Sequence, residues 1–406
     1  MGNTLITNYH DVLPIMGARL ENQLQFIRML PKRYNDKFGQ DGKKVGDTCY
    51  EKLPVRFTGG TGLSISGKIE NIVEKEFPIK IEENLHVAYQ ASDWEYGLTI
   101  ESFFAKYSYL DSAIRNIAVR ADRAMLLKAY LGTPAQYGTY GTAINTADLI
   151  AQIKEKAMSM AIPSPFHMIV NEKVEREMWT GLVGQYAPQD KLSANYIKGQ
   201  MSDGQFGFEK IVSSQNVYKH TSGTMTTVNI DGANQGGDGT ITIAALSGTI
   251  KKGDILKFAA IYSVNPETKQ TTGNLMQVVA TADVADSGTE ISFSPDLVES
   301  GAYQNCTALP ATGSAIVIDN SCASGTPIVN LMFNPEAFAF VTVDLPMPKV
   351  SSVEESNSIT TESGIRISHI KFFDPVERMR VDRFDLAYGA NVLPADMGVM
   401  ALRVVR

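Results

Sequence analysis

Between Phe77 and Gln90 the apolar positions fall on every second residue. Phe77, Ile79 and Ile81 alternate with Pro78, Lys80 and Glu82, and Leu85, Val87 and Tyr89 alternate with His86, Ala88 and Gln90. A period of two predicts extended chain with one apolar and one wet face. The spacing then changes to three and four at Phe103, Tyr107, Leu110, Ile114, Ile117, Ala121 and Met125, which is helical. Thr99 can cap that helix, Glu101 lies in its first turn, and Gly132 and Pro134 mark its end. The pattern therefore predicts a helix over Thr99–Leu131, about thirty residues and roughly 45 Å at 1.5 Å per residue. That is more than twice the usual length, the reach of a strut. Upstream, Leu20, Leu24, Ile27 and Leu30 give a weaker helical pattern over Glu21–Arg33, interrupted by Pro31, and Asp36–Gly46 reads as loop.

After a Gly/Tyr/Thr-rich link (Gln136–Thr142) the pattern becomes α/β. Thr146 caps a helix through Met160, Phe166–Val170 reads as a buried strand, Asn171 caps a short helix to Leu182, and Phe208–Val212 is a further strand. From about Ser213 to Asn330 helix signals vanish. Short alternating runs at Met225–Ile230, Thr240–Leu246, Ile255–Val264, Leu275–Val284, Glu290–Phe293 and Ala315–Ile318 are separated by turn clusters. They predict a closed barrel or sandwich inserted into the α/β part. Strands at Phe338–Val343, Ile365–Phe373, Met379–Tyr388 and Val399–Val405 resume it. The expected class is α+β with an inserted all-β domain.

Composition narrows the function. The chain has 406 residues, 44% hydrophobic and 20% charged, enough for two or three domains. Its net charge of −7 and lack of a basic block argue against gripping nucleic acid by its phosphates. Three cysteines (Cys49, Cys306, Cys322) are too few for a disulfide framework and fit a reducing compartment, although Cys306 and Cys322 share one β-rich region. The first twenty residues have no basic flank before an apolar run, and Ile6 breaks the myristoylation pattern. No apolar run approaches the roughly 20 residues that span a bilayer. A soluble protein made in cytoplasm is expected.

No motif carries chemistry through. Gly62, four residues, then Gly67-Lys68 imitates a phosphate loop, but Ile69 stands where the Mg²⁺-binding hydroxyl belongs and strands follow instead of a helix. Gly62-Leu63-Ser64-Ile65 lacks the closing glycine of a nucleophile elbow. Five scattered histidines have no ligand spacing, and His86, His167 and His369 read as structural. Asn229–Gly239 looks like a calcium loop but places Ala233 and Gln235 at ligand positions, so it reads as a mobile exposed loop carrying Asp231 and Asp238. No catalytic residue, cofactor site or metal site is expected. At least eight apolar positions lie between Val55 and Tyr89 on a projection whose glycines form its tip. Covering half of them is worth several kcal/mol at about 25 cal/mol per Å². A second copy of the chain would supply that cover.

The sequence also resembles the major capsid proteins of tailed double-stranded DNA bacteriophages, the Johnson-type capsid fold. Within them it is similar to short-tailed phage coat proteins with an inserted β-barrel domain. Val45–Phe57 (VGDTCYEKLPVRF), IENIVEKEFPIKIEENLHVAYQ running into LTIESFFAKY, and KGDILKFAAIYSVNPETKQTTGNLMQVVATADV in the insertion carry the resemblance. NPEAFAFVTVDLPMP and SGIRISHIKFFDPVERMRVDRFDLAYGANVLP continue it. It implies an N-terminal arm (1–44), an extended loop (45–95), a peripheral domain (96–145) with a spine helix over 99–131, and an axial domain beginning at 146–212. The inserted barrel would occupy 213–332, and return strands 333–406. Such a chain would form hexamers and pentamers of an icosahedral shell with a scaffolding protein and a portal protein. Assembled in the host bacterial cytoplasm, the shell would expand as double-stranded DNA enters and become part of the virion. Val55, Phe57, Phe77, Ile79 and Ile81 would contact a neighbouring subunit, and Asp231 and Asp238 a neighbouring capsomer. Gly59, Gly60, Gly62 and Gly67 would flex the loop tip, and Gly132 the joint after the spine. The alternatives are a β-rich virion appendage that binds a surface glycan, or an enzyme with a scattered site.

Overall fold

The three-and-four spacing folds into a helix, α1 (Ser108–Gly132), in the computed structural model. The structure describes residues 20, 23–31, 48–52, 55–57, 59, 62–63, 69–72, 74, 76–92, 108–182, 207–233, 235–319, 327–343, 345, 353–361, 364–393 and 400–406. The expected helix start and its Thr99 cap lie outside them. Along α1, pairs of residues turn inward in step: Ala113 and Ile114, Ile117 and Ala118, Ala121 and Asp122, Met125 and Leu126, Ala129 and Tyr130. This is the buried stripe of a 3.6-residue period.

The chain divides into two units, the first gathering Met1–Tyr50, Pro78–Met125 and Ala339–Asn391, the second Glu51–Phe77, Leu126–Phe338 and Val392–Arg406. In the first, β14 (Phe338–Val343), β17 (Met379–Val392), β16 (Arg366–Asp374) and β15 (Val353–Thr360) form a sheet in that order. The strand β3 (Glu83–Ser92) also pairs with β17, antiparallel from Met379↔Ser92 to Tyr388↔Glu83. The second half of the expected projection is therefore a sheet member of its own chain. Its alternation already fitted a half-buried strand, and Leu85 is buried. Gly389 of β17 is fixed by close approach, because a Cβ there would lie 2.5 Å from the carbonyl oxygen of Lys80. Between β16 and β17, His369 Nε2 meets Asp382 Oδ1 at 3.0 Å and its ring stacks on Phe384, a structural role.

The expected helix over Glu21–Arg33 is instead a segment with one 3₁₀ turn, Ile27–Met29. Leu20, Leu24, Phe26, Ile27, Met29 and Leu30 are all buried, more than one helical face can turn inward. The buried Asp122 carboxylate takes the backbone N–H groups instead: Gln25 at 2.7 Å, Phe26 at 3.4 Å and Ile27 at 3.2 Å. Tertiary contact overrides propensity here.

In the second unit the body is a five-stranded sheet in the order β4 (Gln136–Tyr137), β18 (Ala401–Val405), β13 (Val329–Phe333), β5 (His167–Val170), β6 (Lys210–Ser213). Two helices join it. Thr146 Oγ1 accepts from Leu149 N at 3.3 Å to cap α2 (Ala147–Ser159), and Asn171 Oδ1 accepts from Lys173 N at 3.1 Å before α3 (Glu172–Leu182). Ile150, Ile153, Met168, Val170, Val174, Met332 and Leu402 share its core. Because β13 lies between β5 and β18, the inserted strands end before 332.

The insertion is a barrel with strand order β7 (Thr227–Asn229), β12 (Ala315–Ile318), β9 (Ile255–Val264), β10 (Thr271–Ala280), β11 (Glu290–Ser294), β8 (Thr240–Thr242). The outer strands then meet. Asp231 N donates to Thr242 O at 3.0 Å and Ala244 N to Asn229 O at 2.9 Å, with Ile230 bridging Ile243. Of the two architectures the turn spacing allowed, the closed barrel is the one formed. Its own core includes Ile241, Leu256, Phe258, Val278, Ile291 and Ile316.

Polar groups fasten barrel to body. Arg403 of β18, fully buried, donates from Nη1 to Gly253 O at 2.7 Å and from Nη2 to Tyr130 O, and its guanidinium lies 4.1 Å from the Tyr130 ring centroid. Burial pulls this guanidinium down to about 10, still protonated at neutral pH. Next to Gly253, Asp254 meets His220 Nε2 at 2.6 Å and accepts from Gly223 N and Lys251 N. Gln277 pairs both ways with the Gln136 backbone at 3.1 Å, and Asn265 donates to Ser159 O at 2.9 Å.

Arg403→Met leaves two buried carbonyls without a donor, at roughly 1–3 kcal/mol each, and should lower the urea midpoint accordingly. For Asp122, burial raises the carboxyl from 3.8 to about 6. Its contribution to stability is full below the unfolded value and is lost as pH rises through about 6. The difference is about 3 kcal/mol for this shift. Subtracting the unfolding free energy of Asp122→Asn from that of the wild type between pH 4 and 7 should reveal this fall, and a flat difference contradicts it.

Candidate functional site

Among the described residues no three His, Cys, Asp or Glu side chains stand close enough to hold a metal. The His220–Asp254 pair is enclosed, so no substrate reaches it. Cys306 is buried and its thiol is pushed up to about 11 by burial, away from reactivity, while Cys322 lies outside the described residues. A cavity of about 200 Å³ beside β4 is lined by Tyr137, Gly138, Ile144, Leu149, Ile153 and Val405. It falls below the roughly 300–1,000 Å³ of ordinary ligand sites, and its one phenol is bonded to Gln152.

What the molecule does present is apolar surface. The strands β1 (Thr48–Lys52) and β2 (Glu76–Lys80) form a two-stranded ladder. On β1 and on the chain between the two strands Tyr50, Phe57, Leu63, Ile69 and Ile72 are exposed, Phe57 at 57%, Ile69 at 79%, Ile72 at 71% and Leu63 completely. Val55 is half-buried. Phe77, Ile79 and Ile81, by contrast, are buried by this chain itself. That removes the reason for assigning these three to contact with another copy. Alternation showed that they share a face but not what covers it. The exposed set was missed because Leu63, Ile69 and Ile72 follow no period. Large apolar residues in a glycine-rich stretch without a period were the available signal.

The glycines separate by cause. Gly59 (φ 68°) and Gly62 (φ 101°) occupy left-handed backbone in open space, where an added Cβ would meet nothing within 4 Å. Gly60 and Gly67 lie outside the described residues. At Gly132 a Cβ would come within 2.9 Å of Val392, so close packing accounts for this glycine without a hinge.

Asp231 and Asp238 are both exposed on their loop. The Asp238 carboxylate accepts from Thr240 Oγ1 at 3.0 Å and Thr240 N at 3.2 Å, and these bonds hold it below the usual carboxylate range. The segment was expected to be mobile, yet Gln235 braces it, donating to Asp231 O at 2.9 Å and accepting from Thr242 N at 2.5 Å. Leu297 N adds a bond to Gly236 O at 2.8 Å. Gln235, which spoiled the calcium pattern, is the residue that orders the loop.

No curated protein matches the chain. Among solved structures it is similar to one from Mycobacterium phage Che8, at 11% identity and a TM-score of 0.45 over 94% of this chain and 90% of that one. It is also similar to the capsid of Ralstonia phage GP4, at 10% identity and a TM-score of 0.44 over 89% and 84%. A virus-like particle from Pyrococcus furiosus matches at 8% identity and a TM-score of 0.42 over 98% and 100%. The assignment rests on none of these but on a family model. The model described as "P22 coat protein - gene protein 5" matches residues 39–402, and the chain therefore belongs to the P22 coat protein family, as a structural major capsid protein of a tailed phage.

Proposed function

We propose that many copies of this chain form hexamers and pentamers of an icosahedral shell around double-stranded DNA. Assembly takes place in the host bacterial cytoplasm with a scaffolding protein, leaves one vertex for a portal protein, and is followed by expansion as DNA enters. Residues 1–44 act as an arm, 45–95 reach toward a neighbour, and the barrel within 213–332 meets adjacent capsomers. The observation that carries this reading is the exposed set Phe57, Leu63, Ile69 and Ile72. A two-stranded ladder is marginal alone, and full cover of such side chains is worth roughly 1.5–3 kcal/mol each. In a shell that cover repeats at every copy. Val55 and Phe57 remain contact residues in this proposal, joined by Leu63, Ile69 and Ile72, and Gly59 and Gly62 let the tip adapt to different neighbours.

Leu63→Ser/Ile69→Ser/Ile72→Ser should leave subunit stability within about 0.5 kcal/mol, since the side chains are already in water. Shell yield in electron microscopy with the scaffolding protein should collapse, and full yield would count against the proposal. Replacing Gly232–Gly237 by two residues should keep the barrel core folded while reducing the heat resistance of assembled shells. Unchanged assembly and resistance would remove the loop from the contacts between capsomers.

A further inference from the structure

The outward face of α1 has no part in the contacts described above. Ser112, Arg115, Asn116, Val119, Arg120, Arg123 and Leu127 are exposed there, and the one acid between Ser112 and Leu127 is the buried Asp122. The face thus carries three arginines and no exposed carboxylate. Among the described residues no carboxylate pairs with Arg115 or Arg123. Arg120 Nη1 lies 3.4 Å from His86 O, and its charge reaches the Tyr388–Glu83 pair, which leaves it one-sided toward solvent. The chain as a whole is acidic at −7, but that charge is unevenly placed. Residues 213–332 contain five Lys, no Arg and ten Asp or Glu, a balance of −5. The arginine face is therefore a local exception in an acidic protein.

We propose that this face of α1 is where the subunit touches the enclosed duplex, its guanidinium groups binding phosphates; the inference rests on the shell reading above. Arg115 to Arg123 spans about 12 Å along the helix axis, enough to meet several phosphates of one strand. Arginine suits this partner because its planar fork binds phosphate oxygens in pairs. Asn116 adds a neutral donor, and no base edge is read, so contact is independent of sequence. Three contacts per copy are weak singly and sum over a shell, while the acidic barrel stays indifferent to DNA. The geometry thus allows a net-negative protein to hold its contents loosely on one chosen surface.

The test measures fluorescence anisotropy of a labelled 24-bp duplex against the purified, unassembled chain through a salt titration. Arg115→Gln/Arg120→Gln/Arg123→Gln should reduce the log–log salt slope by roughly 2.7, at about 0.9 per phosphate contact. Replacing the same three by Lys should retain most of the slope, which separates lost charge from lost folding. Lys251→Gln/Lys252→Gln, on the exposed barrel surface, should leave it unchanged. An unaltered slope in the glutamine variant, or an equal fall in the barrel variant, overturns the proposal. So does a glutamine variant that binds DNA normally but fails to assemble, which would assign the face to an acidic protein surface. Wild-type shell formation is read separately in the microscope, so failure of the capsid reading is distinguishable from failure of this one.

Discussion

A buried cation sets the plan of the second unit. Arg403 comes from the last strand, Tyr130 from the last turn of the long helix, and Gly253 from the turn that opens β9. None of the groups that bond directly to the guanidinium is a carboxylate. Main-chain oxygens and a ring face satisfy it, and these can be placed only if three distant segments are in position together. A charge this deep is costly when its partners are absent, which makes the arrangement close to all-or-none. The inserted barrel, which has its own core, is thereby given one seat on the body.

The same economy governs the remaining polar groups. Asp254 supports the turn that carries Gly253, Gln277 copies a strand's bonding to Gln136, and Asp122 replaces the helix that the arm does not form. The interior thus uses titratable residues as structural fasteners. Surface chemistry is left to apolar side chains on one segment, a braced acidic loop and an arginine-lined helix face, three textures suited to three kinds of neighbour.

Periodicity made much of this legible. The long helix, the cap at Thr146, the barrel strands and the last strands of the sheet follow directly from spacing and caps. Three things did not. β15 reads VEESNSIT, too polar to announce a strand whose pairing comes from β16. The arm is too densely apolar for one helical face, and only Asp122, about a hundred residues away, explains its path. Phe77, Ile79 and Ile81 were correctly placed on one face, but whether self or neighbour covers a face depends on long-range packing. Local pattern does not contain that information. The exposed residues that take over their role have no pattern at all.

The meeting of Ile230 with Ile243 has a wider meaning. A subunit destined for a shell spends its life among sister molecules at extreme local density, where any ragged strand margin invites unwanted strand-to-strand pairing and tangled deposits. By joining its first and last staves, the insertion offers no such margin. It can protrude into the crowd, and the encounters that remain are those made through side chains.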